Sequence, residues 1–466
     1  MLQAQLLLLA AALVEAAPAY KPKIADVTKI GTQESIFPFL AGSAPHFSYP
    51  VSFGIPKEVP EKCTMKQVQV FARHGERFPT SGTGDAITST YYKFSNYTSS
   101  FNGSLTFLND DYEFFLFDRD DLEEETSWEN TLDPINPYTG EQDSQRHARE
   151  FLYQYSELLE NTTSFPIFAA NRKRVYDTAK YFADALGVKY NVSMQVIDEG
   201  TDVGANTLTP SFSCSAFNWS EHKDVYGNFS NQYLKDISGR LNKQNKGLEL
   251  NTTDAANLFD WCAFEINAKG YSDICDVFTQ EELVKWSYYN DMHTYYRDGP
   301  GNSLAPTMGA VNFNASIELL KQSDQLDLKV WLSFTHDVNL VNYLTAVGLF
   351  DDGKKLTPDN MPFQSQLFHG SWQVPQGARI YTQLYQCGDQ SYVRYVVNDV
   401  VIPIPSCASG PGFSCELDEF VEYGYNRTSG TDYVASCDTT KSSNETELTF
   451  YWDYTTKNYN ASLIIE

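Results

Sequence analysis

Arg73-His74-Gly75-Glu76-Arg77-Phe78-Pro79 sets an imidazole between two guanidinium groups, one residue before it and three after. Arginine stays charged at any working pH and its planar fork grips anion oxygens in pairs, while an imidazole in line with a phosphorus atom can attack it. A phosphoryl group in transfer spreads negative charge over its equatorial oxygens, so this spacing unites an anion site with a nucleophile. Gly75 lets the backbone turn without a Cβ clash, and Pro79 stiffens the loop. Arg146-His147 lacks the Gly-x-Arg-x-Pro continuation and reads as helix surface.

The elements that must position these groups are legible upstream and at two distant points. Val68, Val70 and Ala72 alternate with polar or outward positions, which predicts a buried strand ending where the chemistry begins. Lys329–Thr335 predicts a second strand, followed by His336-Asp337 and a helix carrying Leu340, Val341, Leu344 and Val347 before Gly348. Phe165–Ala170 predicts a third, followed by Asn171-Arg172-Lys173-Arg174 and a helix with Val175, Ala179, Phe182 and Leu186 inward, ended by Gly187. Open α/β sheets bind ligands at the carboxyl ends of their strands, where all three polar groups fall. Arg172, Lys173 and Arg174 compete for one role there, and pattern does not separate them.

Elsewhere, a helix is expected from Ser144, with Ala148, Phe151, Leu152, Tyr155, Leu158 and Leu159 on one face, and a capping box at Thr279–Glu282 opens another carrying Leu283, Trp286 and Tyr289. Strands are expected at Ala378–Cys387 and Tyr392–Val400, before an aromatic segment at Phe450–Tyr454. Residues 20–62 read as an irregular surface lead-in, and the acidic run Asp118–Glu125 as a solvated face. Trp261 and Trp286 read as core, and His46, His222, His293 and His369 as surface or hydrogen-bonded structural histidines.

The chain of 466 residues is 42% hydrophobic and 14% aromatic, globular rather than disordered, and long enough for one large or two closely packed domains. A net charge of −26 argues against nucleic acid and anionic membranes as partners. Leu2–Val14, followed by small residues, reads as a secretory signal cleaved after Ala17 or Ala19, and no C-terminal run suits a membrane anchor. Eleven Asn-x-Ser/Thr sites predict N-glycosylation: Asn96, Asn102, Asn161, Asn191, Asn218, Asn228, Asn251, Asn314, Asn426, Asn444 and Asn460. Eight cysteines permit full oxidation; Cys262/Cys275 and Cys407/Cys415 are near enough to close small loops. No pattern suggests a metal site or cofactor, and the sequence leaves homo-oligomerisation open.

The Arg73–Pro79 heptad together with Phe334-Thr335-His336-Asp337 resembles the histidine acid phosphatases, a family that includes the phytases. Asn136–Gly140, Trp261–Glu265, Pro375–Arg379 and Gly410–Cys415 carry the likeness over nearly the whole mature chain, nearest to the secreted acid phosphatases of yeasts. The resemblance implies an α/β fold, with a mixed central sheet flanked by helices and a smaller, mainly helical cap domain. The expected division is 1–17 signal peptide; 18–93, 144–204 and 300–440 large catalytic domain; 94–143 and 205–299 cap; 441–466 C-terminal tail. It also implies disulfides Cys63–Cys387 and Cys214–Cys437 beside the two short ones, and selects Arg174 from its trio.

By the same resemblance the substrates are small phosphate monoesters and the location is secreted, outside a fungal cell or in its wall space. His74 would form a phosphohistidine, with Arg73, Arg77, Arg174 and His336 holding the oxygens and Asp337 protonating the leaving alcohol, without a metal. Asp337 is expected to be lowered by the arginines but raised by burial and bound phosphate, the latter pair prevailing with substrate present. Val338-Asn339 stands where near relatives commonly have Thr-Asp, which predicts a shifted leaving-group preference or easier entry of polyanions. The alternatives are a phytase preferring inositol phosphates and a catalytically silent cell-surface glycoprotein.

Overall fold

The computed structural model describes residues 29–116, 118–363 and 365–465, so the apolar run Leu2–Val14 and its cleavage site lie outside the described residues. Strands β1 (Cys63–Arg73), β2 (Ser164–Ala170), β3 (Asn191–Ile197) and β4 (Val330–Thr335) run parallel in the order β3-β2-β4-β1. Next to β1, β5 (Arg379–Cys387), β6 (Gln390–Val397) and β7 (Val400–Ile402) continue the sheet antiparallel, and β8 (Cys415–Glu416) pairs with β6. The longer helices are α1 (Ser81–Ser95), α2 (Gly140–Tyr155), α3 (Lys173–Ala185), α4 (Gln232–Gln244), α5 (Thr252–Lys269), α6 (Gln280–Arg297), α7 (Ala305–Lys321), α8 (Asp337–Val347) and α9 (Leu417–Thr428).

The alternation in β1 marks two cores rather than a wet face and a dry one. Val68, Val70 and Ala72 pack with Phe151 of α2 and Ala179 and Phe182 of α3, while Phe71 joins Trp331, Phe313 and Tyr343 on the other side. Gln67 and Gln69, polar in the pattern, are also buried, donating to the carbonyls of Leu319 (2.9 Å) and Ser316 (3.1 Å) of α7. A parallel sheet covered on both faces leaves no solvent side.

A second, helical core gathers Ile87 and Phe94 of α1, Ile237 and Leu241 of α4, Leu258 and Trp261 of α5, and Trp286 of α6. It takes in α1, whereas Ala205, Leu208, Cys214 and the last turns of α6 pack with the main core. Thr279 and Glu282 form the capping box of α6. The disulfides are Cys63–Cys387, joining β1 to β5, with Cys214–Cys437, Cys262–Cys275 and Cys407–Cys415.

Four expectations are corrected. The described part of the lead-in is irregular but not superficial: Phe37, Leu40, Ala41, Ala44 and Tyr49 are buried, and the Gly42 and Ser43 carbonyls receive bonds from Arg73, Asn267 and Gln376. Helix α2 begins a turn before Ser144, because the Thr139 hydroxyl accepts from the Gln142 N–H and caps it there. His147 is buried, its Nε2 2.6 Å from the Tyr381 hydroxyl; only Arg146 of that pair reaches the surface. The acidic run is solvated only in part: Glu125 is buried, Glu124 pairs with Lys173 and Glu123 with Arg174.

Candidate active site

The site forms where the parallel strands end together. Arg73, the last residue of β1, lies opposite Thr335, the last of β4, and the His74 N–H donates to the Thr335 carbonyl at 3.0 Å. His74 and His336-Asp337 therefore leave adjacent strands side by side, while β2 delivers Arg172 to Arg174 and β3 delivers Glu199. Gly75 is required by close approach: a Cβ there would lie 2.8 Å from the Gly140 Cα and run into the Glu125 carboxylate. Its N–H donates to the Thr178 hydroxyl of α3 at 2.8 Å, fixing the turn.

His74 is buried, with Nδ1 2.9 Å from the Gly75 carbonyl. A carbonyl only accepts, so Nδ1 carries the proton and Nε2 presents its lone pair. Burial first, then Arg73, Arg174 and Arg77, push the pKa well below the ordinary 6.5, which keeps the imidazole neutral in a mildly acidic medium.

The three arginines are anchored by their terminal nitrogens. Arg73 donates to the carbonyls of Gly42 and Val374, both at 2.6 Å, and lies 3.2 Å from Asp337. Arg77 donates to the Phe78 carbonyl at 2.7 Å and rests over the Phe264 ring, and Arg174 pairs with Glu123 at 3.0 Å. In all three the Nε–H is buried without a partner among the described residues. Three desolvated cationic donors around one imidazole form an anion cradle, since leaving such donors unmet is costly.

His336 faces His74 edge to face, and its Nε2 lies 2.5 Å from Glu199, which also receives Arg172 at 3.2 Å. Burial lowers the His336 pKa against the pull of Glu199; burial would raise Glu199, but His336 and Arg172 hold its pKa below 4.5. Asp337 is about a third exposed. Burial would raise it too, yet Arg73, Arg297 and His336 bring it below the usual carboxylate range in the resting site.

A cleft of about 300 Å³ opens from Arg73, Arg77 and Asp337 toward the helical core. Its outer wall is Asp260 and Phe264 of α5 and Asn290, His293, Thr294 and Arg297 of α6. These positions fall at helical spacing on one face of each helix. Asp260 makes no hydrogen bond or ion pair among the described residues, and burial alone raises its pKa to about 7. His293, expected to be surface or structural, lines this wall instead, its pKa brought to about 3 by burial and Arg297. Arg297 is tied to Asp298 at 2.7 and 2.6 Å.

The family model of the histidine phosphatase superfamily (branch 2) matches residues 64–398, from the strand before His74 to the end of β6. The chain belongs to this family. The repressible acid phosphatase of Saccharomyces cerevisiae is 54% identical over 457 residues, 98% of each chain. A phytase of Candida albicans is 43% identical, covering 92% of this chain and 93% of its own. The crystal structure of the phytase from D. castellii superposes with a TM-score of 0.88 at 41% identity, covering 92% of this chain and 93% of that one.

In this histidine phosphatase all six residues singled out from sequence, Arg73, His74, Arg77, Arg174, His336 and Asp337, meet at one place. Glu199, Arg297 and Asp260 were missed, for each sits in a segment without a motif and reaches the site only through folding, and Glu123 was read with its acidic run as solvated. Asn339, expected to influence the leaving group, turns away: its Oδ1 accepts from the Ser211 N–H (3.3 Å) and hydroxyl (2.9 Å), and it does not line the cleft. His46 and His369 are hydrogen-bonded structural histidines, held by Arg379 and by Asp291.

Proposed function

We propose that the protein is an acid phosphatase that hydrolyses phosphate monoesters through a phosphohistidine. The carrying observation is the unpartnered Nε–H of Arg73, Arg77 and Arg174 around an imidazole whose Nε2 is free. His74 Nε2 forms the bond to phosphorus as the ester P–O bond breaks, and Asp337 gives its proton to the departing alkoxide. Water then attacks the phosphohistidine, Asp337 takes back a proton, and inorganic phosphate leaves. The arginines supply the positive charge that a divalent metal supplies in other phosphoryl-transfer sites. A phosphate dianion beside Asp337 and His336 opposes the arginines and favours the protonated forms of both. Hydrolysis of p-nitrophenyl phosphate from about pH 3 to 8 with EDTA present, wild type beside His74→Ala, tests this. Acidic activity that the substitution abolishes is expected, and a folded but inactive wild type would return the chain to a silent surface glycoprotein.

A phytase is the second reading, favoured by likeness to the C. albicans and D. castellii phytases. The cleft wall supports the simpler monoesters: its cations are Arg73, Arg77 and Arg297, the last neutralised by Asp298, and Asp260 faces in among them. Four disulfides support an oxidising destination, and ten of the eleven glycosylation sites have exposed asparagines, Asn314 in α7 being half-buried. Secretion by the Leu2–Val14 signal, with glycosylation, completes the reading. No helix among the described residues is long and apolar enough to cross a membrane.

A further inference from the structure

Glu123 lies in the acidic run yet touches the catalytic machinery. Its Oε2 is 3.0 Å from Arg174, and both side chains are nearly enclosed, 10% and 12% exposed. Its backbone sits at φ +70°, in the left-handed region that residues other than glycine seldom keep without compensation. The compensation is a strap: the Glu123 N–H donates to the Pro79 carbonyl at 3.0 Å, Phe78 to Glu124 at 2.9 Å, and Thr126 to Glu76 at 2.9 Å. The segment is thereby laced to the loop that follows His74. The other carboxylate oxygen accepts from the Ser81 N–H in the first turn of α1, at 3.2 Å. Glu123 thus has a second partner, at a helix N-terminus, if Arg174 is taken from it.

Resting on the phosphatase reading, we propose that Glu123 is a built-in counter-anion that holds Arg174 in the resting site and competes with the phosphoryl group for it. Arg77 is oriented by one carbonyl, which positions a guanidinium without neutralising it, and Arg73 by two carbonyls beside Asp337, the proposed proton donor, at 3.2 Å; Arg174 is held by a carboxylate that has no part in the proposed proton transfer. Its unpartnered Nε–H remains open to an anion, but a phosphate oxygen bound there lies beside the Glu123 carboxylate in a desolvated setting, where like charges repel strongly. The surrounding charges are Arg77 on the loop, Arg172, Lys173 and Asp177 around the start of α3, Glu199 beyond β3, and Asp337. Lys173 is engaged by Glu124 and Asp177, so it does not replace Arg174 as the partner of Glu123. The consequence is a site that holds any phosphoryl group less tightly than its arginines alone would, which eases release of inorganic phosphate.

Calorimetric titration of inorganic phosphate into wild type, Glu123→Gln and Glu124→Gln tests the proposal, with KM and kcat on p-nitrophenyl phosphate read alongside. Glutamine keeps the shape and one of the two accepted hydrogen bonds but not the charge, so Glu123→Gln is expected to bind phosphate about tenfold tighter, with KM falling in step and kcat not rising. Glu124→Gln should stay within about twofold of wild type, which separates competition at Arg174 from a general loss of negative charge. Glu123→Asp, with its carboxylate withdrawn by one methylene, should tighten binding by an intermediate factor. Equal or weaker binding in Glu123→Gln, or equal tightening in Glu124→Gln, would overturn the proposal and leave Glu123 as a support for the arginine. The titration needs no turnover, so an inactive wild type that still shows the shift would refute the phosphatase reading alone.

Discussion

His74 and His336 leave neighbouring parallel strands and face each other edge to face, ring centroids 5.7 Å apart and planes inclined at 68°. His74 spends Nδ1 on the Gly75 carbonyl and keeps Nε2 free, while His336 spends its Nε2 on Glu199.

In the proposed mechanism that free Nε2 makes His74 the attacking group. His74→Ala should lower kcat on p-nitrophenyl phosphate by about 10⁴-fold or more. Denaturing quench of wild type with labelled substrate should trap an acid-labile label that the variant lacks. Because the His74 pKa lies well below 6.5, the acid limb of the rate profile should show no break near that value.

In the proposed mechanism Asp337 carries a proton that the resting arginines discourage. Asp337→Asn should cost about 10²- to 10⁴-fold on alkyl phosphates and much less on p-nitrophenyl phosphate, whose leaving group departs without protonation. Equal losses on both would remove the residue from general-acid duty.

Glu199 fixes the His336 ring. Its pKa is depressed in the fold, so its stabilisation is present above the unfolded value near 4.5 and fades as pH falls through the folded one. Glu199→Gln should therefore lower stability by roughly 2 kcal/mol near pH 6, with the gap to wild type closing in strong acid. Denaturant unfolding at several pH values measures this.

Behind the catalytic turn the sign is opposite. Glu125 is buried, and that burial, then Asp177, raise its pKa well above 4.5. Glu76 is raised in the same direction by burial and Asp143. Carboxyls raised on folding stabilise fully below their unfolded pKa and lose that contribution as pH climbs through the folded one. Thermal stability should thus decline from about pH 5 toward 8, and Glu125→Gln should flatten the decline.

Asp260 offers a test of the cleft. Asp260→Asn removes the inward carboxyl that ionises near pH 7, so the ratio of phytate to p-nitrophenyl phosphate hydrolysis should rise severalfold at about pH 7 to 8 and change little at about pH 5, where the carboxyl is protonated. An unchanged ratio would mean the outer wall does not discriminate by charge.

What could be read without coordinates was local or repeated. The heptad at Arg73, the His336-Asp337 pair and the strand-to-helix junctions each lie within a short window, where spacing and apolar periodicity follow directly from backbone geometry. Arg174 needed more, since three basic residues share its turn; helix α3 turns Arg172 toward Glu199, Lys173 toward Glu124 and Arg174 toward Glu123. Burial was misjudged for His147, Glu125 and the lead-in because composition reports the cost of burying a polar group and not the partner that meets it. Glu199, Arg297 and Asp260 belong to no motif. They become part of the site only because parallel strands end together and two helices cap them, bringing residues far apart in the chain within reach of one anion.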